Sequence, residues 1–253
     1  MMEELLCATH LRKIFTAADG NDFPAVDDVT FSVGEGEKVA IIGESGSGKT
    51  TVAKMVTRLL DATSGSIILE GQDITKASGK KLRQAYGKMQ MVFQMPVESF
   101  DPRRTLGDGI TEGLRNHGRS KKDAAAECQH LLERCGLESA FADRYPHEVS
   151  GGQCQRAAIA RALAIQPKLL ILDEATSALD VTVQADILSL LDELQKELKM
   201  SYLFISHDIA LVQDFCDRVI VMHDGNIVET GTTEEVIRHP QQDYTKKLID
   251  SVL

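Results

Sequence analysis

No apolar run in this 253-residue chain approaches the ~18–20 residues needed to cross a bilayer. The N-terminus, Met1-Met2-Glu3-Glu4, is acidic and lacks the basic stretch and apolar core of a secretory leader. Both absences predict a chain that stays in the cytoplasm. The five cysteines (Cys7, Cys128, Cys135, Cys154, Cys216) are scattered and form no C-x-x-C pair, which fits reduced, mostly buried thiols. The seven histidines are dispersed as well, so no metal-ligand cluster is visible. Positive charge is in deficit. A formal net charge of −10 argues against a nucleic-acid partner, which would demand a basic face. Local basic spots at Lys80-Lys81, Arg103-Arg104 and Arg119 to Lys122 read as solvated faces. There is no internal repeat and no low-complexity tract. The length suits one domain, or one domain with a substantial insertion.

What is present centres on Gly43-Glu44-Ser45-Gly46-Ser47-Gly48-Lys49-Thr50-Thr51, a match to the phosphate-binding pattern G-x-x-x-x-G-K-[ST]. Such a match counts only if a strand leads in and a helix leads out. Glu37–Ile42 is a short apolar run rich in β-branched residues, as a buried strand requires. Lys49–Leu60 carries Val52, Met55, Val56, Leu59 and Leu60 at helical spacing. The glycines let the backbone wrap closely, so its N–H groups converge on phosphate oxygens. A helix starting near Lys49 turns its positive end to the same point. Lys49 adds a point charge for the β- and γ-phosphates, and Thr50 a hydroxyl for Mg²⁺. The chain is predicted to bind a nucleoside triphosphate.

Glu4–Phe15 and Ala25–Val33 read as strands around a polar loop at Thr16–Asp22, with further strands at Ser66–Leu69 and Met89–Phe93, the latter ending at Gln94. From about Thr105 to Ile165 the periodicity is helical, with Lys121–Cys135 clearly amphipathic. This predicts an all-helical subdomain, 95–165, inserted between two strands of the core sheet. The core resumes at Lys168–Leu172. An amphipathic helix over Val181–Leu198 and strands at Tyr202–Ser206 and Arg218–Met222 follow. Asn226–Glu229 pairs with the last strand across the Asp224-Gly225 turn, and helical segments close the chain at Thr233–Arg238 and Tyr244–Val252. Strands alternating with helices around a P-loop indicate an α/β fold with a mainly parallel sheet.

Two further motifs carry chemistry. The apolar strand Leu169–Leu172 ends in Asp173-Glu174. In an open parallel sheet ligands sit at the carboxyl ends of the strands, which brings both carboxylates to the triphosphate. Asp173 then suits Mg²⁺, directly or through water, and Glu174 suits a general base that orients the attacking water. Standing alone, such a pair would be surface as readily as site. Val149-Ser150-Gly151-Gly152-Gln153 precedes an alanine-rich helical run. It is either a second backbone anion site with a hydroxyl or a plain N-cap on a flexible turn. Phe15 is either core or projects towards the nucleotide.

Val149–Gln153 resembles the signature of ATP-binding cassette proteins, whose usual first residue is leucine, and the order of motifs is similar to that family's from end to end. The resemblance implies an antiparallel β subdomain on the N-terminal side of the P-loop core. One nucleotide-binding domain would span 1–253, with 232–253 as a short C-terminal extension. It also implies that Phe15 stacks on adenine, that Gln94 senses the γ-phosphate and Mg²⁺, that Ser177-Ala178-Leu179-Asp180 forms the D-loop, and that His207 contacts the γ-phosphate. The stretches Gln94–Thr105, Tyr145–Glu148, Asp173–Gln184 and Gln242–Thr245 narrow the likeness to the peptide/nickel importer branch. Cys154 stands where a basic or polar residue is usual, and Ala175 where proline is common; neither removes a catalytic group. No cysteine follows Cys216, so no iron–sulfur centre is expected.

In that family two subunits sandwich two ATP molecules head to tail, the P-loop of one facing the signature of the other. The resemblance therefore implies that Ser150, Gly151, Gly152, Gln153 and Asp180 join Phe15 and Gly43–Thr51 around nucleotide. Lys49, Gln94, Glu174 and His207 would carry catalysis, and Thr50, Gln94 and Asp173 would hold Mg²⁺. The implied partners are a second cassette ATPase, a paralogue in preference to a second copy, and two membrane permease subunits docking near Gln94–Arg104. An external binding protein would take part indirectly. The chain would sit on the inner face of the cell membrane, and the cargo would be an oligopeptide, a dipeptide, nickel or a metal chelate. Two other readings compete. A cassette ATPase of DNA repair or translation usually carries a long coiled-coil insertion or two cassettes, and neither appears. A nucleotide-gated assembly module with little turnover would not need Asp173, Glu174 and His207 intact.

Overall fold

A computed structural model describes residues 4–17, 20–177 and 179–251. Two long strands come first, β1 (Glu4–Thr16) and β2 (Asp22–Gly34), then β3 (Lys38–Ile42), the P-loop and α1 (Lys49–Val56). β4 (Ser64–Leu69), β5 (Gln72–Asp73), α2 (Gly79–Tyr86) and β6 (Met89–Val92) follow. The next stretch contains α3 (Leu106–Asn116), α4 (Lys121–Arg134) and α5 (Gly151–Leu163), with 3₁₀ turns at Val97–Ser99, Ser139–Asp143 and Pro146–Glu148. The chain then runs through β7 (Leu169–Asp173), α6 (Val181–Leu198), β8 (Ser201–Ile205), α7 (Ile209–Phe215), β9 (Arg218–His223) and β10 (Asn226–Thr232). It ends in α8 (Thr233–Arg238) and α9 (Asp243–Asp250). Among the described residues no helix is long and apolar enough to cross a membrane.

Strand alternation decides the layers. Along the buried strands, Ala40, Ile42, Leu170, Leu172, Tyr202, Phe204, Val219 and Val221 face one core, shared with α3 to α7. Their neighbours Val39, Ile41, Leu169, Ile171, Leu203, Ile205, Ile220 and Met222 face a second core with β1, β2, β4 and α1. The sheet between the cores has the order β10-β9-β3-β8-β7-β6 and is parallel except for the β9–β10 hairpin. A four-stranded antiparallel sheet, β2-β1-β4-β5, covers the second core. This is the α/β class read from the sequence, with α1 held between two sheets.

Several boundaries differ from the sequence reading. α1 stops at Val56, short of Leu60, because Arg58 adopts φ 58° and Thr57 turns its hydroxyl back to the Ala53 carbonyl at 2.8 Å. Leu60 looked like one more rung of the helical stripe because it packs on the second core from beyond the helix end. β2 begins at Asp22 and β10 continues to Thr232, where that threonine also caps α8. α2 and α7 are additional helices, each short enough for its periodicity to escape notice. Val252, Ala178 and the Ala18-Asp19 pair of the first loop lie outside the described residues.

Arg218, at the start of β9, ties the layers together. Its guanidinium donates to both carboxylate oxygens of Glu37, at 2.7 and 3.1 Å, and to the Ser32 carbonyl of β2 at 2.6 Å. Burial works against ionisation of Glu37, but Arg218 and the Gly34 N–H outweigh it and hold the carboxyl below its ordinary value of 4.5. A depressed folded-state pKa contributes stability that is present above the ordinary value and is lost as pH falls through the lower one. Arg218→Ala is therefore expected to lower stability by about 3 kcal/mol at pH 7, the low end for breaking a largely buried pair. Urea unfolding should show the gap from wild type narrowing as pH drops below 4.5. A gap independent of pH would contradict this role.

Candidate nucleotide site

The loop between β3 and α1 is shaped by close backbone approaches. At Gly43, φ is 149° and a Cβ would lie 2.2 Å from the Met222 carbonyl oxygen; at Gly48, φ is 102° and it would lie 2.5 Å from that of Ala25. Gly48 is the N-cap of α1 and supplies no side chain to the helix start. By contrast, Thr105, Ser120, Ser150, Asp180, Asp208 and Thr232 each cap their own helix. The first N–H of α1 with an intrahelical acceptor is Val52, bonded to Gly48 at 2.9 Å. The N–H groups of Gly48, Lys49, Thr50 and Thr51 thus have none, and they stand at the positive end of the helix dipole. Glu44, Ser45 and Gly46 form the exposed lip, while Ser47 is buried with its N–H on the Glu44 carbonyl at 3.2 Å.

Lys49 is 4% exposed and its ammonium donates to the carbonyls of Gly43 and Glu44, at 2.8 and 2.7 Å, and to Ser47 Oγ at 3.4 Å. Burial pulls its pKa below the ordinary value despite the nearby charges of Glu174, Asp173 and Glu44. The positive charge is dehydrated and aimed into the loop.

Strand register gathers the remaining groups. Val92 pairs with Leu172, and Ile205 pairs with both Ile41 and Asp173. Two residues beyond Val92, Leu172, Ile205 and Ile41 come Gln94, Glu174, His207 and Gly43, so parallel pairing alone brings four separate motifs to one edge. Asp173 closes β7 at 5% exposure, and its Oδ1 accepts the Thr50 hydroxyl at 3.0 Å. Burial raises its pKa; the Thr50 bond opposes the shift and the Glu174 charge adds to it. Glu174 adopts the left-handed φ of 47° while its N–H still reaches the Ile205 carbonyl of β8 at 2.9 Å. That conformation costs a non-glycine residue about 1 kcal/mol or more and recurs where a side chain must be aimed. The Glu174 carboxylate accepts Gln94 Nε2 at 2.8 Å and lies 3.5 Å from His207 Nδ1.

Not every candidate joins this cluster. Phe15 is half-buried at the end of β1, its ring 5.9 Å from that of Phe23 and 5.1 Å from Lys13 Nζ. Ser150 caps α5, accepting Gln153 N–H at 3.3 Å, while Gln153 Oε1 accepts Ser150 N–H at 2.9 Å. Gly152 lets α5 approach α6, since a Cβ there would meet Val183 at 2.5 Å. Gly151 faces Leu179, and Asp180 caps α6 through Val183 N–H at 3.0 Å. Among the described residues, hydrogen bonds of Ser150, Gln153 and Asp180 stay in their own turns and none reaches Lys49 or Glu174.

The structure gives contacts to Ser177, which the sequence reading placed in the D-loop, and adds Ser206 and Asp208, to which it gave no role in the site. Ser177 Oγ lies 3.5 Å from Gln94 Nε2 and donates to the Glu174 carbonyl at 3.0 Å, bracing the carboxylate turn. Ser206 Oγ accepts Asp208 N–H at 3.0 Å, and Asp208 caps α7, which fixes the turn presenting His207. The pattern Ser206-His207-Asp208 before the apolar Ile209–Val212 was the available signal, an N-cap followed by a helix.

The ABC transporter family profile matches residues 26–177. The chain is 44% identical over 255 residues to the oligopeptide transport ATP-binding protein OppF of Bacillus subtilis, covering all of this chain and 83% of that one. It is 49% identical over 229 residues to the glutathione import ATP-binding protein GsiA of Escherichia coli, covering 90% of this chain and 37% of that one. Among solved structures, the dimeric post-hydrolysis state of the ATP-binding cassette MJ0796 bound to ADP and Pi superposes with a TM-score of 0.83 at 28% identity, over 90% of this chain and 98% of that one. CbiO1 of Clostridium perfringens, part of the ABC transporter complex cbiONQ, gives 0.81 at 30% identity, over 94% and 92%.

Replacing Lys49 with alanine deletes the one ammonium held inside the loop. ATP affinity measured by calorimetry should fall by about a hundredfold or more, with the thermal unfolding midpoint little changed. Normal affinity in a folded Lys49→Ala variant would refute the loop assignment.

Proposed function

The chain belongs to the ABC transporter family and is an ATPase of its importer branch, and on that premise we propose that it energises uptake of a peptide through separate membrane subunits. The observation that carries this reading is the complete set of Lys49, Thr50, Asp173, Glu174, Gln94 and His207 at one sheet edge, in a chain whose relatives are named for oligopeptide transport and glutathione import. Those names favour a peptide over nickel or a metal chelate.

In the proposed cycle ATP lays its adenine on Phe15 and its phosphates in Gly43–Thr51. The N–H groups of the first turn of α1, which have no intrahelical acceptor, receive phosphate oxygens. Lys49 exchanges the Gly43 and Glu44 carbonyls for the β- and γ-phosphates, and because it is already dehydrated little solvent has to reorganise. Thr50, Asp173 and Gln94 fit a hard divalent cation. They offer oxygen donors, and burial disfavours the charge of the carboxylate even though the Thr50 hydroxyl and the charges of Lys54 and Lys49 offset part of it. Mg²⁺ held there would offset charge developing on the transferred phosphoryl group. Glu174 takes the proton of the attacking water while Gln94 holds one of its oxygens in place. His207 is 59% exposed and free to turn to the γ-phosphate.

Ser150–Gln153 of one subunit would close over the γ-phosphate bound to the other, beside its Asp180. Val181, next to Asp180, is 81% exposed and suits burial in that contact. Because the triphosphate is held from both sides, it favours the closed pair more than the diphosphate does. The second subunit is proposed to be a paralogue. Exposed Met95 and Val97 beside Gln94 offer an apolar seat for two permease subunits at the inner face of the cell membrane. An external binding protein would deliver the peptide.

Glu174→Gln should bind ATP normally, hydrolyse it at least about a hundredfold more slowly, and accumulate as a closed pair. Captured with ATP from detergent-solubilised membranes of its host, it should carry two membrane subunits and a second cassette. Recovery of nucleic-acid-handling proteins instead, or of no membrane subunit, would overturn the importer reading.

A further inference from the structure

α9 lies far from the P-loop in sequence yet touches it. The Glu44 N–H donates to the Tyr244 hydroxyl at 3.3 Å. The phenol ring is stacked on His223, at the end of β9, with ring centroids 3.9 Å apart and an interplanar angle of 24°. α9 is itself firmly placed: Glu229 of β10 accepts the N–H groups of Gln241 and Gln242, at 2.8 and 3.1 Å, while Leu248 and Ile249 enter the core.

Lys49 Nζ donates to the Gly43 carbonyl at 2.8 Å. The Gly43 carbonyl and the Glu44 N–H belong to one peptide unit. That unit is therefore gripped at both polar ends, by an ammonium on the oxygen and by a phenol on the N–H. A peptide accepting at its oxygen and donating at its nitrogen is polarised, so each bond strengthens the other. The plane also sits where Gly43 must avoid the Met222 carbonyl, the residue just before His223.

From this geometry we propose that Tyr244 is a positioning residue for nucleotide binding, holding the Gly43–Glu44 peptide in the orientation from which Lys49 reaches phosphate. When ATP draws Lys49 off the Gly43 oxygen, Tyr244 retains the N–H end and keeps the peptide from rotating. α9 thereby becomes part of the nucleotide site without touching nucleotide. Burial raises the Tyr244 pKa, with the Glu44 N–H opposing the shift, so the hydroxyl is neutral at physiological pH. This inference rests on the ATP-binding reading of the P-loop.

The test compares the full-length wild type, Tyr244→Phe and His223→Ala. Tyr244→Phe keeps the ring on His223 and removes only the acceptor oxygen, whereas His223→Ala removes the surface that holds the ring. ATP affinity by calorimetry and KM for ATP should both weaken by about threefold to tenfold in Tyr244→Phe. kcat should stay within about twofold, and the thermal midpoint should be unchanged. His223→Ala should shift KM in the same direction. An unchanged KM with a lowered midpoint would make Tyr244 a structural tether of α9 and overturn the proposal. A drop in kcat alone would overturn it as well. Failure of the wild type to bind ATP would instead sink the functional reading on which the proposal stands.

Discussion

One backbone-to-backbone approach governs this site: the Cα of Gly43 faces the Met222 carbonyl so closely that no side chain fits between them. The P-loop is thereby pressed onto the β9–β10 hairpin. Two further bonds spread that contact through the molecule, since Gly225 of the hairpin turn donates to the Ser47 carbonyl at 3.1 Å and accepts from Asp27 of β2 at 2.8 Å. The antiparallel sheet, the hairpin and the loop are thus one connected backbone unit. α1 leaves it uncapped, and the direction of its dipole follows from where that unit points.

The charges inside are arranged against their own solvation. Lys49 and Asp173 are both nearly inaccessible, and burial disfavours the charged form of each. Neither bonds the other; Lys49 is occupied with carbonyls and Asp173 with a hydroxyl. An anion at the ammonium and a cation at the carboxylate would relieve both together. This gives a physical reason for a triphosphate and a divalent metal to bind as one species.

Much of this was legible in the sequence because it depends on local pattern. The loop motif, the apolar strand before Asp173 and the stripe of α6 are written in consecutive residues. Other features belong to the assembled sheet. Two core faces emerge only when β3, β7, β8 and β9 are set side by side. The left-handed φ of Glu174 has no marker in its residue type, and the contact of Tyr244 with Glu44 joins residues 200 apart with no spacing rule between them. The end of α1 was misread for a related reason. Leu60 packs apolar surface from outside the helix, and periodicity does not separate that from one more helical turn.

The cap on α5 has a bearing on how two such chains would come together. Ser150 Oγ uses a lone pair to receive the Gln153 N–H, and a hydroxyl that accepts still owns a proton to give. In the proposed sandwich that proton is offered to the opposing γ-phosphate while the lone pair stays where it is. Docking therefore dismantles nothing at the signature, and separation leaves no frayed helix end to repair. The surface that meets the nucleotide is in working order before the encounter and after it.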